Sequence, residues 1–178
     1  MKPDEILDLQ YQFTAPLEGT VPHIYRDTAG VNTCGIGFAL FTIDALKEYA
    51  WTPNLQEAEL DYKLVAVAPA GRSMSYYRQI THARLDPNSI VEHFTRKVLT
   101  FRKQIEAHWQ LSLQPVGIQI VLTDLAFQLG AAGLGKFVKL HTAVLNHDWR
   151  AAADECHVGA ASIGRNLQRK QKFLDELK

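Results

Sequence analysis

The feature that most restricts the fold is a short strand-like stretch near the start of an otherwise helical chain. Between residues 19 and 43, glycines and a proline interrupt a run rich in Thr, Ile, Tyr and Val. This pattern predicts two or three short antiparallel strands joined by tight turns. Helical periodicity dominates the rest of the sequence. We therefore expect an α+β fold that is mainly helical, with a small antiparallel β-hairpin region near the N-terminus and a helical C-terminal lobe.

Apolar periodicity places the helices. A first short helix is predicted over residues 4–13, with Pro16 marking its end. The clearest long helix covers 88–109, where the apolar residues form one stripe. An apolar helix over 115–129 ends at Gly130, a residue suited to the left-handed conformation after a helix. Further helices are predicted at 43–50, 55–66, 136–146, 148–156 and 165–176, and a loop or helix break at 69–77.

Length and composition indicate one globular domain. The 178 residues fit a single domain, 1–178, with a small β-containing lobe at 14–60 and a helical lobe at 88–178. Hydrophobic residues make up 47% of the chain, enough for a real core. Lys plus Arg equals Asp plus Glu, with 19 of each, so net charge gives no argument for a nucleic-acid partner.

Three features of the sequence bear on the cellular compartment in which the chain folds: its cysteines, its apolar runs and its first residues. Cys34 and Cys156 are too few for a disulfide framework, and we interpret them as two buried thiols while leaving a bridge between them open. Uninterrupted apolar runs stay far below the about 18 residues of a membrane span, so no stable membrane insertion is expected. The first 17 residues carry acidic groups where a signal peptide has basic and apolar regions, so no signal peptide is expected.

Two carboxylates, Glu18 and Asp27, are the candidates for catalysis. Glu18 ends the first helical region, and Asp27 lies in the β-region before a turn at Gly30. Glycoside hydrolysis needs one carboxyl group that stays protonated to protonate the leaving oxygen. It needs a second that stays ionised to handle water or the developing positive charge. Thr33 is six positions after Asp27 and is suited to hold the attacking water. Among 19 acidic residues, however, such pairs also arise by chance.

The complete string around these residues resembles a known family. It reads Glu18-Gly19, then Tyr25-Arg26-Asp27-Thr28-Ala29-Gly30, then Thr33-Cys34-Gly35-Ile36-Gly37. This resembles the phage-type lysozymes, the endolysins of glycoside hydrolase family 24, whose signature is Glu, eight residues, Asp, five residues, Thr and then Gly-x-Gly. The spacing matches without a gap. The resemblance covers 9–43 and 117–175, where the sequence around Gln128 and the basic last helix are also similar to the family.

The resemblance implies a role for each matched residue. Glu18 would be the general acid, and Asp27 the base that orients water, with Thr33 beside it. This arrangement implies inversion at the anomeric carbon and carboxyl groups about 6.5–9.5 Å apart.

The resemblance also implies substrate-binding residues, two in the N-terminal half of the sequence and two in the C-terminal half. Gly35 and Gly37 would let substrate or another part of the chain come close. Phe127 and Gln128 would line the saccharide groove. Core packing is the alternative for Phe127, whereas the Gln128 amide at an apolar helix end needs a hydrogen-bonding partner.

The implied activity is that of a muramidase, a lysozyme that hydrolyses the β-1,4 bond between N-acetylmuramic acid and N-acetylglucosamine. Its partners would be the glycan strands of peptidoglycan, with no cofactor and no metal. A lytic transglycosylase is one alternative, although Asp27 and Thr33 argue against it. The other is a catalytically inactive peptidoglycan-binding module, which Phe38 and Ala39 in the groove after Gly37 would suit.

Several departures from the family pattern indicate a divergent member, of the secreted effector or toxin kind. Phe38 stands where the family usually has His, the chain is neutral, and residues 62–88 look inserted, as a lid or an extra recognition surface. We expect synthesis in the cytoplasm and action on the cell wall after export, injection or lysis. An injected effector would also have an immunity or inhibitor protein as a partner.

The histidines and Cys34 are interpreted without a catalytic role. The seven histidines show no metal-binding spacing, so they are expected at the surface or at helix caps. Cys34 lies in a predicted strand, which favours an inert, buried thiol over a nucleophile.

Overall fold

The computed structural model describes residues 3–178, with side chains described from residue 5 onward. It confirms the α+β class: helices dominate, and a small antiparallel sheet lies near the N-terminus. Two 3₁₀ helices, Ile43–Glu48 and Leu111–Leu113, supplement the α-helices. The strands are β1 (Val21–Arg26), β2 (Asn32–Gly35), β3 (Phe38–Ala39), β4 (Trp51–Thr52) and β5 (Arg84–Leu85). The helices are α1 (Pro3–Glu18), α2 (Leu55–Val67), α3 (Met74–Ile80), α4 (Pro87–Trp109), α5 (Val116–Leu134), α6 (Val138–Leu145), α7 (Trp149–Glu155) and α8 (Ile163–Asp175).

Contacts divide the chain into two units. The β-containing unit is Glu18–Thr95, and the helical unit combines Arg96–Lys178 with the chain up to Leu17. Helix α1 therefore belongs to the helical unit except for its last residue, and α4 contributes to both units. The lobe limits expected from the sequence, 14–60 and 88–178, stay a prediction. The contacts add the segment after residue 60 to the β-containing unit.

The β-containing unit holds two small antiparallel sheets. In the first, with strand order β1-β2-β3, Tyr25 pairs with Thr33 and Arg26 pairs with Asn32. A register irregularity lies between Val21 and Tyr25, so the two ends of β1 pair with β2 in different registers. The second sheet pairs β4 with β5 and was not expected from the sequence. It connects the segment before α2 to the segment after α3.

The predictions for Pro16 and for residues 69–77 are wrong. Helix α1 continues through Pro16 to Glu18. A proline removes one backbone hydrogen bond, but its fixed φ is compatible with a helix, and the buried Thr14 and Ala15 on the same turn favour continuation. The predicted loop at 69–77 contains the start of α3, because the Ser73 side chain accepts a hydrogen bond from the backbone N–H of Tyr76 and caps the helix.

Helix α5 forms the centre of the helical unit. Its residues 118–126 are buried, and Gly130 interrupts the helical backbone with a φ of +73° before the helix resumes to Leu134. The helix is long and apolar enough, by length and composition, to span a membrane, although polar residues interrupt its apolar sequence. A buried core helix meets the same criterion. In the structure, half of the most apolar 18-residue stretch of α5 is buried in this core.

A buried charged cluster joins α1, α5 and α8 within the helical unit. We call Gln10, Thr14, Asp124, Arg165 and Arg169 the Asp124 cluster. Both arginines donate to Asp124, with a distance of 2.8 Å from Arg165 Nη2 to Oδ1 and 2.7 Å from Arg169 Nε to Oδ2. Thr14 Oγ1 donates to Oδ1 at 2.9 Å and accepts from Gln10 Nε2 at 2.8 Å. Burial lowers the pKa of the Arg169 guanidinium, and the negative charge of Asp124 opposes that shift.

The two thiols are buried in different units. Cys34 lies on β2 and Cys156 follows α7, and neither forms a disulfide, which confirms the prediction of two buried thiols. The Cys156 thiol donates to the backbone carbonyl of Ala153 at 3.4 Å. Burial raises the pKa of Cys156 to about 11.

Candidate active site

Glu18 begins the β-containing unit at the point where α1 ends. Gly19 follows it with a φ of +76°, a conformation that glycine adopts without strain and that stops the helix. The half-buried Glu18 side chain faces Gly37. A Cβ atom on Gly37 would lie 4.0 Å from Glu18 Oε2. Because Gly37 has no side chain, the space next to this carboxylate oxygen stays open.

Asp27 organises the turn between β1 and β2. Its backbone N–H donates to the carbonyl of Val31 at 3.0 Å, and its carbonyl accepts from Gly30 at 3.1 Å. The side-chain Oδ1 accepts from the backbone N–H of Val31 at 2.8 Å. The other oxygen, Oδ2, accepts no hydrogen bond from the residues that the structure describes. The turn therefore holds the carboxylate in place through one oxygen and leaves the second available.

Arg26 links this turn by hydrogen bonds to the segment predicted as an insertion, residues 62–88. Its Nε donates to the carbonyl of Gly30 at 3.0 Å, and its Nη1 donates to the carbonyl of Ala68, just after α2, at 2.9 Å. The backbone N–H of Gly71 donates to the carbonyl of Arg26 at 3.1 Å. A Cβ atom on Gly71 would meet Thr28 Cγ2 at 3.4 Å. Residues 68–71 therefore pack on the turn that carries Asp27.

Thr33 and Tyr25 face each other across the first sheet. Thr33 is 4% exposed, and its hydroxyl donates to the carbonyl of Val31 at 3.1 Å. Burial, together with electrostatic interactions with Cys34, Asp27 and Glu18, raises the pKa of Tyr25 to about 12. Tyr25 therefore lies within electrostatic reach of both candidate carboxylates. The sequence motif contains Tyr25 but gave it no role, because nothing in the spacing distinguishes it from a strand residue.

The two motif glycines have different surroundings. Gly35 is buried with a φ of +58°, and a Cβ atom there would lie 2.5 Å from Cδ2 of Phe38. The close approach at Gly35 is therefore made by the Phe38 ring. Phe38 is fully buried and packs on His93, with ring centroids 4.5 Å apart. The exposed Gly37, by contrast, faces Glu18.

The other predicted substrate residues, Phe127 and Gln128, belong to the helical unit. Both are half-buried near the end of the regular part of α5. Phe127 packs edge-on against Phe101 at 6.0 Å, and Lys97 Nζ lies 5.7 Å from the centre of its ring. The Gln128 Oε1 accepts from Arg169 Nη2 at 2.8 Å. The hydrogen-bonding partner expected for this amide is thus a residue of the Asp124 cluster.

The fold of this chain is similar to that of solved structures, whereas its sequence matches no described family. No family model and no curated protein sequence matches the chain. Among solved structures, the fold is similar to that of the P1 phage endolysin Lyz in its active form, with a TM-score of 0.53 and 14% sequence identity. The match covers 95% of this chain and 84% of the endolysin chain. The chain has a lysozyme-like fold.

Within this lysozyme-like fold, Glu18, Asp27, Thr33, Gly35 and Gly37 all belong to the β-containing unit. The expectation that every histidine lies at the surface or at a cap is wrong for His23. This residue is 4% exposed, and its Nε2 contacts the carbonyl of Met74 at 3.0 Å. Burial lowers the pKa of His23 and so favours its neutral form.

Proposed function

We propose that this chain is a peptidoglycan-cleaving glycoside hydrolase of the phage-type lysozyme family. Its specific reaction would be hydrolysis of the β-1,4 bond between N-acetylmuramic acid and N-acetylglucosamine. The observation that carries the proposal is the position of Glu18 at the end of α1, beside the open space at Gly37 and in the same unit as the Asp27 turn. The lysozyme-like fold, which is similar to that of a phage endolysin, supports the same assignment.

In this mechanism Glu18 donates a proton to the leaving glycosidic oxygen. Bond cleavage builds positive charge on the sugar ring, and water completes the reaction at the anomeric carbon. Asp27 accepts the proton of that water through Oδ2, while Oδ1 remains bonded to the backbone of Val31. Because the Thr33 hydroxyl already donates to a carbonyl, its oxygen is left to accept a hydrogen bond from the water.

Within the helical unit, Gln128 has an amide that is suited to bind an acetamido group. Its Oε1 is occupied by Arg169, so the amide is oriented with its NH₂ group available for donation. An N-acetyl carbonyl is an acceptor that such a donor can bind. Phe127 next to it is half-buried, and its aromatic ring is suited to apolar contact with a sugar.

An inactive wall-binding module is the less favoured function. The reason to consider it was Phe38, which replaces a polar residue after Gly37. In the structure Phe38 is fully buried against His93, so this substitution lies in the core of the β-containing unit.

The first test is product analysis of digested peptidoglycan. We expect the purified chain to clear a peptidoglycan suspension and to release muropeptides with reducing N-acetylmuramic acid ends, because water is the acceptor. Mass spectrometry after borohydride reduction detects these ends. Release of 1,6-anhydro ends would identify a lytic transglycosylase instead. Sedimentation with peptidoglycan but no release of fragments would identify a binding module.

The second test addresses Asp27. We expect Asp27→Asn to lower the rate of peptidoglycan clearing by about 100-fold, because an amide cannot accept the proton of the water. The amide oxygen still accepts the hydrogen bond from Val31, so the turn and the melting temperature should be maintained. Asp27→Glu should lose less activity if its longer side chain still reaches the water.

The anomer of the product shows which role Asp27 has. Inversion, measured by NMR on a short glycan, is expected if Asp27 activates water. Retention, or a glycosyl ester trapped on Asp27, would show nucleophilic catalysis and would leave Glu18 as the acid.

A further inference from the structure

A second group of chemically reactive side chains lies in the β-containing unit, away from the Asp27 turn. Glu57 and Asp61 are one turn apart on α2, and His82 comes from the turn between α3 and β5. One potential ligand atom from each residue lies within 4.8 Å of the others. His82 Nδ1 is 3.6 Å from Glu57 Oε1 and 3.9 Å from Asp61 Oδ1.

These separations are close to those of a tetrahedral zinc site. Zinc binds nitrogen and carboxylate oxygen at about 2.0–2.2 Å, so two ligand atoms of a tetrahedron are roughly 3.3–3.5 Å apart. The two separations from His82 Nδ1, 3.6 and 3.9 Å, exceed this by a few tenths of an ångström, and all three ligand atoms lie within 4.8 Å of one another. Small rotations of the exposed His82 and the partly exposed Glu57 would remove that excess. An imidazole with two carboxylates suits zinc better than calcium or magnesium, which prefer oxygen ligands alone.

The position of Asp61 is an independent reason to expect a cation. Its side chain is 3% exposed, and Oδ2 accepts from the backbone N–H groups of His82 and Ala83 at 2.8 and 2.7 Å. Oδ1 faces His82 Nδ1 at 3.9 Å and accepts no hydrogen bond from the residues that the structure describes. Buried charges in proteins are paired or coordinate metal ions. The two backbone donors aim this oxygen, as the outer hydrogen bonds of metal ligands do.

The charges of the group also favour a cation. Glu57 and Asp61 lie at positions i and i+4 of one helix, where two negative charges repel each other. A divalent ion bound between them would neutralise both carboxylates.

We propose that Glu57, Asp61 and His82 bind one Zn²⁺, with water as the fourth ligand, and that the ion connects α2 to the turn before β5. This site is separate from the candidate catalytic residues and does not depend on the proposed hydrolysis. Residue spacing along the sequence gives no sign of this site, because its single histidine comes from a different element than its two carboxylates.

The test is titration of the full chain, freed of metal with a chelator, with ZnCl₂ and with CoCl₂. We expect one Zn²⁺ bound per chain by calorimetry and the strong visible absorption of four-coordinate Co²⁺. Zinc at 100 times its dissociation constant should raise the melting temperature by about 5–10 °C. His82→Asn and Glu57→Gln should each weaken zinc binding by about 100-fold, while clearing of peptidoglycan stays unchanged.

His157→Asn is the matched control, because it removes an exposed histidine of the helical unit. It should bind zinc like the original chain. Equal zinc affinity in His82→Asn and the original chain would overturn the proposal, as would the weak spectrum of six-coordinate Co²⁺. Either result would leave the group as contacts of His82 with the two carboxylates and no metal ion.

Discussion

Replacing Glu18 with Gln should reduce peptidoglycan clearing by about 100-fold or more. The amide cannot donate a proton to the leaving oxygen, and general acid catalysis contributes factors of about 10² to 10⁴. A loss of 100-fold corresponds to about 2.7 kcal/mol of transition-state stabilisation. Gln has nearly the shape of Glu, so the contact with Gly37 and the end of α1 should be kept. The measurement is the initial rate of turbidity loss, combined with circular dichroism to establish folding.

Glu92→Gln provides the control for that experiment. Glu92 is an exposed glutamate on α4 within the same unit, so its substitution should leave the rate unchanged. A folded Glu18→Gln chain that clears peptidoglycan at the original rate would contradict the assignment of Glu18 as the acid. Since the zinc proposal involves none of these residues, it would survive that outcome.

The largest effect on stability is expected from Asp124→Asn, a loss of about 3–5 kcal/mol in the free energy of unfolding. Asp124 is the carboxylate to which the buried Arg165 and Arg169 both donate. Its neutralisation leaves two guanidinium charges in the core without compensation, the situation in which breaking a buried ion pair costs most. Urea unfolding should show a lower midpoint with an unchanged slope.

Two further variants test whether the loss of stability comes from charge left unpaired in the core or from the loss of an ion pair in general. Asp154→Asn removes the exposed pair with Lys170 and should leave the urea midpoint nearly unchanged. Arg165→Gln should cost less than Asp124→Asn, because one arginine and one carboxylate then remain. If Asp124→Asn destabilised the chain no more than Asp154→Asn, the cluster would not be a major source of stability.

Local periodicity was enough to predict most elements. The helix expected at 55–66 is observed at Leu55–Val67, and the one expected at 88–109 is observed at Pro87–Trp109. Both carry an apolar face that repeats within a few residues, so the information lies in the segment itself. The small sheet was predictable for a similar reason, since its strands follow one another along the chain and are separated by glycines.

Features that join distant segments were not predictable from the sequence. Strands β4 and β5 have two residues each, too few for an alternating pattern, and they pair across more than 30 positions. The Asp124 cluster takes its members from three helices, and no spacing rule links an aspartate to arginines 41 and 45 positions away. Their association follows from burial, which forces charged groups to find one another.

In the candidate site, too, local features were predictable and contacts between distant segments were not. The spacing of Glu18, Asp27 and Thr33 is a local signal and could be read directly. The hydrogen bond from Arg26 to the carbonyl of Ala68 depends on how residues 68–71 pack on the turn, which the sequence does not reveal. Phe38 was interpreted as part of an open groove because its neighbours in the motif are functional candidates, whereas packing against Gly35 places it inside.

The two buried thiols make the fold independent of redox conditions. Cys34 and Cys156 each lie within the core of a different unit, and no disulfide contributes to stability. With its pKa raised to about 11, Cys156 would be ionised in only about one molecule in 10⁴ at pH 7, so it reacts slowly with oxidants and with other disulfides. A chain built in this way can fold in the presence of glutathione and stay folded in an oxidising medium. It needs neither a thiol oxidase nor a disulfide isomerase.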